Sequence, residues 1–414
     1  MDAIVKPSLS LALPPTFRAL RHRNYRLWWS GQLISLTGTW MQTVAQSWLV
    51  LQLTNSAFLL GLTGFIGSLP ILLLSLWGGV VADRVHKRNL LVATQTTAML
   101  QAFLLAFLTW RGLVRVEHVL VLAAVLGLVS AFDAPTRQAF TVEMVGKEDL
   151  MNAIALGSTL FNAARIIGPA LAGVLLAIIG TAGCFTLNGV SFLAVIAGLL
   201  AMRLPPAPRV ATSESALHNL REGLAYVRSN SMVLSLLALV GTTSVFGMPY
   251  AVLMPIFAQD VLKMGAQGLG FLTAAAGIGA LIGALTLASL SRFGRKGLLL
   301  TAGNLLLPAL LAAFAFSRSF PLSLLCLVGV GWAMIAQNTT ANTLIQITVP
   351  DHLRGRVMSV YTLLFMGMTP LGNLQAGTVA SLMGAPFAVG FGAAICALAA
   401  LLILWRLPQL RRLE

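Results

Sequence analysis

The sequence predicts an all-α membrane protein, with twelve transmembrane helices arranged as two pseudo-symmetric six-helix bundles. Three observations carry that prediction. Hydrophobic residues fill 57% of the 414 positions and charged residues only 9%, whereas a soluble domain carries roughly 25% charged residues on its surface. Apolar runs of roughly 20 residues, the length that crosses about 30 Å of hydrocarbon, recur along the chain. The charges sit in short clusters between those runs.

The runs fall at 27–51, 58–81, 89–110, 118–133, 152–179 and 184–202, and then at 232–257, 268–290, 297–316, 321–341, 357–380 and 386–405. An even number of spans puts both termini on one side. Of the 27 Lys and Arg, 22 fall in the set of loops that includes the termini, while Arg111, Arg115, Lys263 and Arg318 make up the alternate set. The positive-inside rule then predicts cytoplasmic termini, and one helix more or fewer would scramble the split. The net charge of +15 therefore reads as membrane topology and not as a nucleic-acid surface.

The stretch 203–230 is rich in Pro, Ser and charge and divides an N-terminal bundle, 1–202, from a C-terminal one, 231–414. Within this linker, 216–228 predicts an amphipathic helix on the cytoplasmic surface. An internal repeat supports the division. Asp83-Arg84-Val85-His86-Lys87-Arg88 follows helix 2 and Ser291-Arg292-Phe293-Gly294-Arg295-Lys296 follows helix 8, with the arginines 208 positions apart. Pro169 in helix 5 and Pro370 in helix 11 are 201 apart. Duplicated halves place a binding site between them near the bilayer midplane.

Several chemistries are excluded. Cys184, Cys326 and Cys396 lie inside apolar runs at wide spacings, which predicts packing residues and neither disulfide nor metal ligands. No His-Glu zinc motif, no Ser-Asp-His set and no phosphate-binding Gly-x-x-x-x-Gly-Lys-Ser/Thr loop is present, so an enzyme and a nucleotide-driven pump are both disfavoured. No cofactor is expected. The short apolar stretch within 1–15 is broken by Pro14 and Pro15, so the first spanning helix is expected to insert the chain and remain.

The strongest local signal is Gly79-Val80-Val81-Ala82-Asp83-Arg84-Val85-His86-Lys87-Arg88. Gly79 would let helix 2 approach a neighbour, Asp83 could pair with a cation or cap a helix, and Arg84, Lys87 and Arg88 would hold the loop at the headgroups. Such a cluster is either a positive-inside loop or a latch that breaks during a conformational cycle. In these residues the chain resembles the major facilitator superfamily, and the degenerate second copy with Ser291 in place of the acid fits that resemblance. Ala155, Ala164, Gly168-Pro169 and Ala172-Gly173 resemble the family's antiporter signature in helix 5, where Gly168, Pro169 and Gly173 would form a hinge or seal. Gly31-Gln32-Leu33-Ile34-Ser35, Asp133-Ala134-Pro135-Thr136-Arg137-Gln138 and Arg354-Gly355-Arg356-Val357-Met358-Ser359 resemble the exporter branch that includes enterobactin and macrolide efflux proteins. The resemblance implies a multi-pass inner-membrane pump of bacteria, a small-molecule cargo, proton coupling and a monomer in the lipid bilayer. The alternative is a facilitator or importer of an anionic metabolite.

Site residues follow from polarity inside apolar runs. Helix 1 carries a seam at Gln32, Ser35, Thr39, Gln42 and Gln46, which must face a watery cavity or other protein. The resemblance implies that helices 1, 4, 7 and 10 line the pathway, which adds Thr243 and Tyr250, and Gln337, Asn338 and Asn342. Arg165 lies well inside helix 5, sharing a face with Asn162 and Pro169, and an intramembrane arginine marks a cavity or a partner. The coupling candidates are Asp133 near the expected end of helix 4, Arg137 one turn on, and Arg165. No arginine falls in 119–132, so the arginine of the family's helix-4 drug-antiporter signature is expected to be missing.

Overall fold

The computed structural model describes residues 15–203, 216–290 and 296–406, and every regular element in them is helical. The second basic loop at 291–295, most of the Pro-rich linker and the first 14 residues lie outside the described residues.

The first half contains α1 (Arg23–Thr54), α2 (Ala57–Arg84), α3 (Lys87–Trp110), α4 (Val116–Val145) and α5 (Leu150–Ala201). At 1.5 Å per residue, the 52 residues of α5 would reach about 78 Å, more than twice the hydrocarbon thickness. Gly180 breaks it, with φ 67 and ψ −175, a conformation costly for any residue with a Cβ. The break turns α5 into two spans, 150–179 and 181–201. The amphipathic α6 (Ala216–Ser229) follows the linker, as the sequence predicts.

The second half contains α7 (Ser231–Thr242), α8 (Tyr250–Ile256), α9 (Gly265–Leu290), α10 (Lys296–Phe316), α11 (Phe320–Thr348), α12 (Asp351–Thr362), α13 (Thr369–Met383) and α14 (Ala385–Arg406). A π turn at Thr243–Gly247 joins α7 to α8, and another at Leu363–Gly367 joins α12 to α13. Pro249 and Pro370 follow these turns closely. A proline removes a backbone donor and repels the preceding turn, and a π turn re-satisfies the carbonyls with one extra residue per turn. Ten segments are long and apolar enough to cross a membrane, with α5 taken as one and α1 not among them. The glutamines of α1 dilute its apolar character. Adding α1 and dividing α5 gives twelve spans.

The helices pack within two groups, α1 with α5, α2 with α4 and α3 with α5 in the first, and α9 with α11 and α10 with α11 and α14 in the second. Between the groups, α5 meets α9 and α2 meets α13. These meetings concentrate on the face opposite the basic loops, hereafter the far face. A Cβ on Gly61 of α2 would stand 2.5 Å from the Asn373 carbonyl and 2.7 Å from the Gly377 Cα. Only glycine permits that approach. Apolar packing follows the same asymmetry. One core, including Met41, Leu60, Leu176, Phe257, Leu272 and Ala380, runs across both halves. Two others stay within one half each, around Phe140 and Phe192, and around Leu237 and Tyr361. The far face is sealed, and the halves part toward the basic face.

On the basic face an ionic clamp holds the start of the described chain. Asp149, with its side chain 1% exposed, accepts from Arg18 Nε at 2.9 Å, Arg21 at 2.8 Å and His22 Nε2 at 2.7 Å. Asn152 adds a bond from the Ala19 amide at 2.8 Å. On the second half, Glu222 of α6 pairs with Arg356 of α12, so the amphipathic helix rides on that half.

Two predictions follow from these contacts. Leucine at Gly377 overpacks the far-face seam, at a cost of about 1–3 kcal/mol, and so moves the open–closed balance of that face about 5- to 150-fold. Spin labels on the exposed Phe58 and Leu382 should report a longer-distance population in Gly377→Leu that is minor in the parent. The second concerns pH. The His22 hydrogen bond, reinforced by Arg21 and Arg18, holds the Asp149 carboxyl below its ordinary 3.8. A depressed folded pKa contributes stability above the unfolded value, which is lost as pH falls through the folded one. The clamp should therefore hold at pH 7 and release below about pH 4, the unfolded Asp value, read as faster proteolysis around Arg18 and Arg21. Asp149→Asn should show the fast cleavage already at pH 7.

Candidate functional site

Two cavities are candidates for the transport path, one walled by the first half and one shared between the halves. The outer one, a vestibule of about 660 Å³ open toward the basic face, is walled by Tyr25, Trp28, Trp29 and Gln32 of α1, Arg137 and Gln138 of α4, and Phe161 and Asn162 of α5. The inner one, about 390 Å³, takes Trp40 and Gln46 from α1, Thr63 and Ser68 from α2, Ser130 from α4, Ala251 and Val252 from α8, and Thr273 from α9. Both halves contribute to it, and no charged side chain lines it. Trp40 of the inner cavity meets Phe161 of the vestibule edge to face, with centroids 5.8 Å apart. A narrow aromatic neck therefore separates two apolar spaces dotted with hydroxyls and amides, the composition that binds amphipathic small molecules.

The wall of the vestibule is built on a buried carboxylate. Asp133 is 3% exposed. One oxygen accepts from Thr94 at 2.9 Å and from Gln95 at 2.8 Å, and the other pairs with Arg137 Nε at 2.7 Å. Arg137 also donates to Gln32 Oε1 at 3.1 Å. A buried carboxylate needs this many donors, since removing either partner of such a pair leaves an uncompensated charge. The expected helix end near Asp133 is corrected here. α4 continues to Val145, and Asp133 sits inside it. The polar stretch and Pro135 imitate a helix terminus in sequence, but α3 supplies the hydrogen bonds that keep the chain helical. An arginine, Arg137, therefore does lie in helix 4.

The other sequence candidates divide. Gln46 lines the inner cavity, and Gln32 and Asn162 line the vestibule. Arg165 is part-exposed and makes no hydrogen bond or ion pair with another described residue. Gln42 also stands in the wall of the inner cavity, but it is 1% exposed and its amide is committed to Gln101 at 2.9 Å and Asn188 at 2.7 Å. Thr39 returns its hydroxyl to the Ser35 carbonyl at 2.9 Å. Gln337 bonds Thr243 at 2.7 Å inside the second half, the Asn338 carbonyl accepts from Tyr361 at 3.4 Å, and Tyr250 packs edge-on against Phe314. Some of the expected lining thus also bonds between helices, because a polar residue in an apolar run meets a protein partner as readily as a cavity.

The hinge residues lie in close seams. A Cβ on Gly168 would stand 2.6 Å from the Thr37 carbonyl, and one on Gly173 would stand 3.1 Å from the Gly270 Cα. Pro169 is buried beside them. The latch residues behave differently. Gly79 has nothing within 4 Å of a notional Cβ, while its neighbour Gly78 abuts the Ala131 carbonyl, so the close approach expected at Gly79 occurs one residue earlier. Asp83 and Arg84 are exposed. Lys87 pairs with Glu143 at 2.7 Å and Arg88 donates to the Leu200 carbonyl at 2.9 Å. Sequence reading missed Thr94, Gln95, Gln101 and Asn188, whose only signal was polarity in apolar helices, and Thr63, Ser68, Ser130 and Thr273, whose lone hydroxyls also bond backbone carbonyls in ordinary helices.

Comparison with known proteins bears on the family and the fold. The family profile described as transmembrane secretion effector matches residues 15–414. The multidrug efflux pump Tap of Mycolicibacterium fortuitum is 30% identical over 393 residues, covering 91% of this chain and 94% of that protein. The enterobactin exporter EntS of Shigella boydii is 27% identical over 399 residues, 94% of each. The staphyloferrin A transporter of Staphylococcus aureus is 26% identical over 363 residues, 87% of this chain and 90% of its own. Among solved structures, a bacterial homolog of the lysosomal transporter Spinster, inward-facing and occupied, superposes with a TM-score of 0.74 at 14% identity, covering 95% of this chain and 97% of that one. The chain belongs to the transmembrane secretion effector family, within the efflux and enterobactin-exporter branch of the major facilitator superfamily.

Proposed function

We propose that the protein exports small amphipathic molecules, drug-like compounds or siderophores, from a bacterial cytoplasm by alternating access. The observation that carries this reading is an inner cavity shared by both halves, with an apolar core that joins them at the far face while the other two cores stay within one half each. The basic face is then cytoplasmic, carrying both termini, and the protein sits in the inner membrane as a multi-pass monomer. Residues 1–202 and 231–414 rock as units joined by 203–230. Cargo enters the vestibule, passes the Trp40–Phe161 neck and occupies the inner cavity beside Gln46. Opening the far face then breaks the glycine seams around Gly61 and Gly173, and α5 flexes at Gly168, Pro169 and Gly173. Asp83 and Arg84 take partners from the other half when the basic face closes, so that Gly79 through Arg88 latches that state.

Asp133 and Arg137 are the coupling pair. Protonating Asp133 removes the counter-charge of Arg137 and frees it to shift on Gln32, which changes the vestibule wall where cargo enters. A proton taken up from outside and released inside would thereby alternate with cargo. Neutralising Asp133 should separate the two fluxes. In proteoliposomes with a trapped pH indicator, siderophores, macrolides or amphipathic cations applied to wild type should give a cargo-dependent proton signal. Asp133→Asn should lose that signal at least tenfold while cargo still binds. Cargo movement in wild type without any proton movement would reject antiport and favour the facilitator reading. No cargo movement in folded protein would reject export altogether.

A further inference from the structure

Arg165 occupies the midpoint of the 150–179 span, where an arginine is expensive to place and keeps its position only with a counter-charge or water. Its surroundings are specific. Toward the basic face on the same helix, Phe161 and Asn162 line the vestibule. Across the seam to α9, the Arg165 carbonyl lies 3.1 Å from a notional Cβ on Gly277, one turn from the inner-cavity residue Thr273. On α8, Ala251 lines the inner cavity from the second half. Arg165 is in the wall of neither cavity itself; it lies one turn along α5 from the vestibule residues Phe161 and Asn162 and against the α9 turn that follows Thr273 of the inner cavity.

The charge is uncompensated. Among the described residues, the acid buried within the spans away from their ends is Asp133, and both its oxygens are engaged by Thr94, Gln95 and Arg137. Asp149 is held by the clamp on the basic face. Asp260, near the far end of the α8 span, is exposed. Arg165 is left part-exposed with five donors and no acceptor among described residues. The inner cavity below it offers hydroxyls and an indole but no charge.

We infer that the cargo is an amphipathic anion, whose carboxylate, sulfonate, phosphate or phenolate group sits on the Arg165 guanidinium while its apolar body fills the inner cavity around Trp40. This rests on the exporter reading and adds the charge class to it. An arginine fork suits such a group better than a lysine point charge, because it offers two parallel donors at once. The cationic rim of the basic face raises the local concentration of anions at the vestibule mouth.

A shape-matched pair of probes of opposite charge tests the assignment: pyrene-1-sulfonate and pyren-1-ylmethylammonium. Binding to purified protein is read by energy transfer from tryptophan, and flux by uptake into inverted vesicles. Wild type should bind and move the sulfonate at least tenfold better than the ammonium. Arg165→Gln should abolish that preference, and Arg165→Lys should keep most of it, with thermal unfolding confirming that both variants are folded. Equal handling of the two probes by wild type, a preference that survives Arg165→Gln, or binding of neither probe would overturn the anion assignment. Flux of the ammonium without the sulfonate would overturn it while leaving export intact. If Arg165→Gln changes binding but no probe or drug is moved by wild type, the exporter reading fails and the anion site stands.

Discussion

Hydrocarbon accepts no hydrogen bonds, and this single constraint organises the rest of the molecule. Each backbone polar group must be satisfied within its own helix, and each polar side chain in a span must find a partner on another helix or open onto water. The consequences are visible residue by residue. Gln42 ties α1 to α3 and α5 through Gln101 and Asn188. Asp133 is caught between two donors of α3 and the arginine one turn along α4. Helix–helix contact is otherwise a matter of close approach, since lipid is as apolar as leucine and gives no hydrophobic drive for association. Glycine and alanine therefore mark the seams, both within a half, as at Gly168 and Thr37, and between the halves, as at Gly61 and Gly377.

The same constraint explains what the sequence made legible. Apolar run length, the placement of lysine and arginine, and the basic loop after helix 2 were sufficient for the helix number and the family, because lipid dictates those features one segment at a time. Partner choice was not legible in the same way. Gln42 and Gln46 lie one turn apart with the same chemistry and both stand in the inner-cavity wall, yet the first is 1% exposed with its amide bonded between helices and the second is part-exposed. Which it would be depends on the rotation of α1 against α3 and α5, a tertiary fact. The misplaced end of α4 has a similar origin. Asp133, Pro135 and Arg137 look like a loop in one dimension, and become a helix interior only once Thr94 and Gln95 are set beside them.

Three apolar cores, one shared and two separate, bear on how the protein moves. Sharing a core across the far face stabilises the conformation described, and alternating access requires that this core be divided. The burial lost there must be recovered elsewhere, or the second conformation would be too rare to serve transport, since a two-state balance shifts only by the difference between the states. The basic face holds the material for recovery. Ile154 and Phe161 stand exposed in the vestibule wall, and Asp83 and Arg84 are exposed on the basic face.

Electrostatics then decides how cargo could bias that balance. In the conformation described, Arg137 is neutralised by Asp133, whereas Arg165 has no ion-pair partner among the described residues. An anionic cargo would cancel its charge, and desolvating the resulting pair becomes tolerable only when the cavity closes around both. Closure with cargo and closure without it are therefore different reactions: the empty protein would have to bury a bare guanidinium, which is strongly disfavoured, while the loaded one buries a hydrogen-bonded ion pair. Arg165 would thus select charge through the same desolvation cost that makes its position in α5 expensive, while the cargo-free return of an exporter would have to keep the guanidinium hydrated.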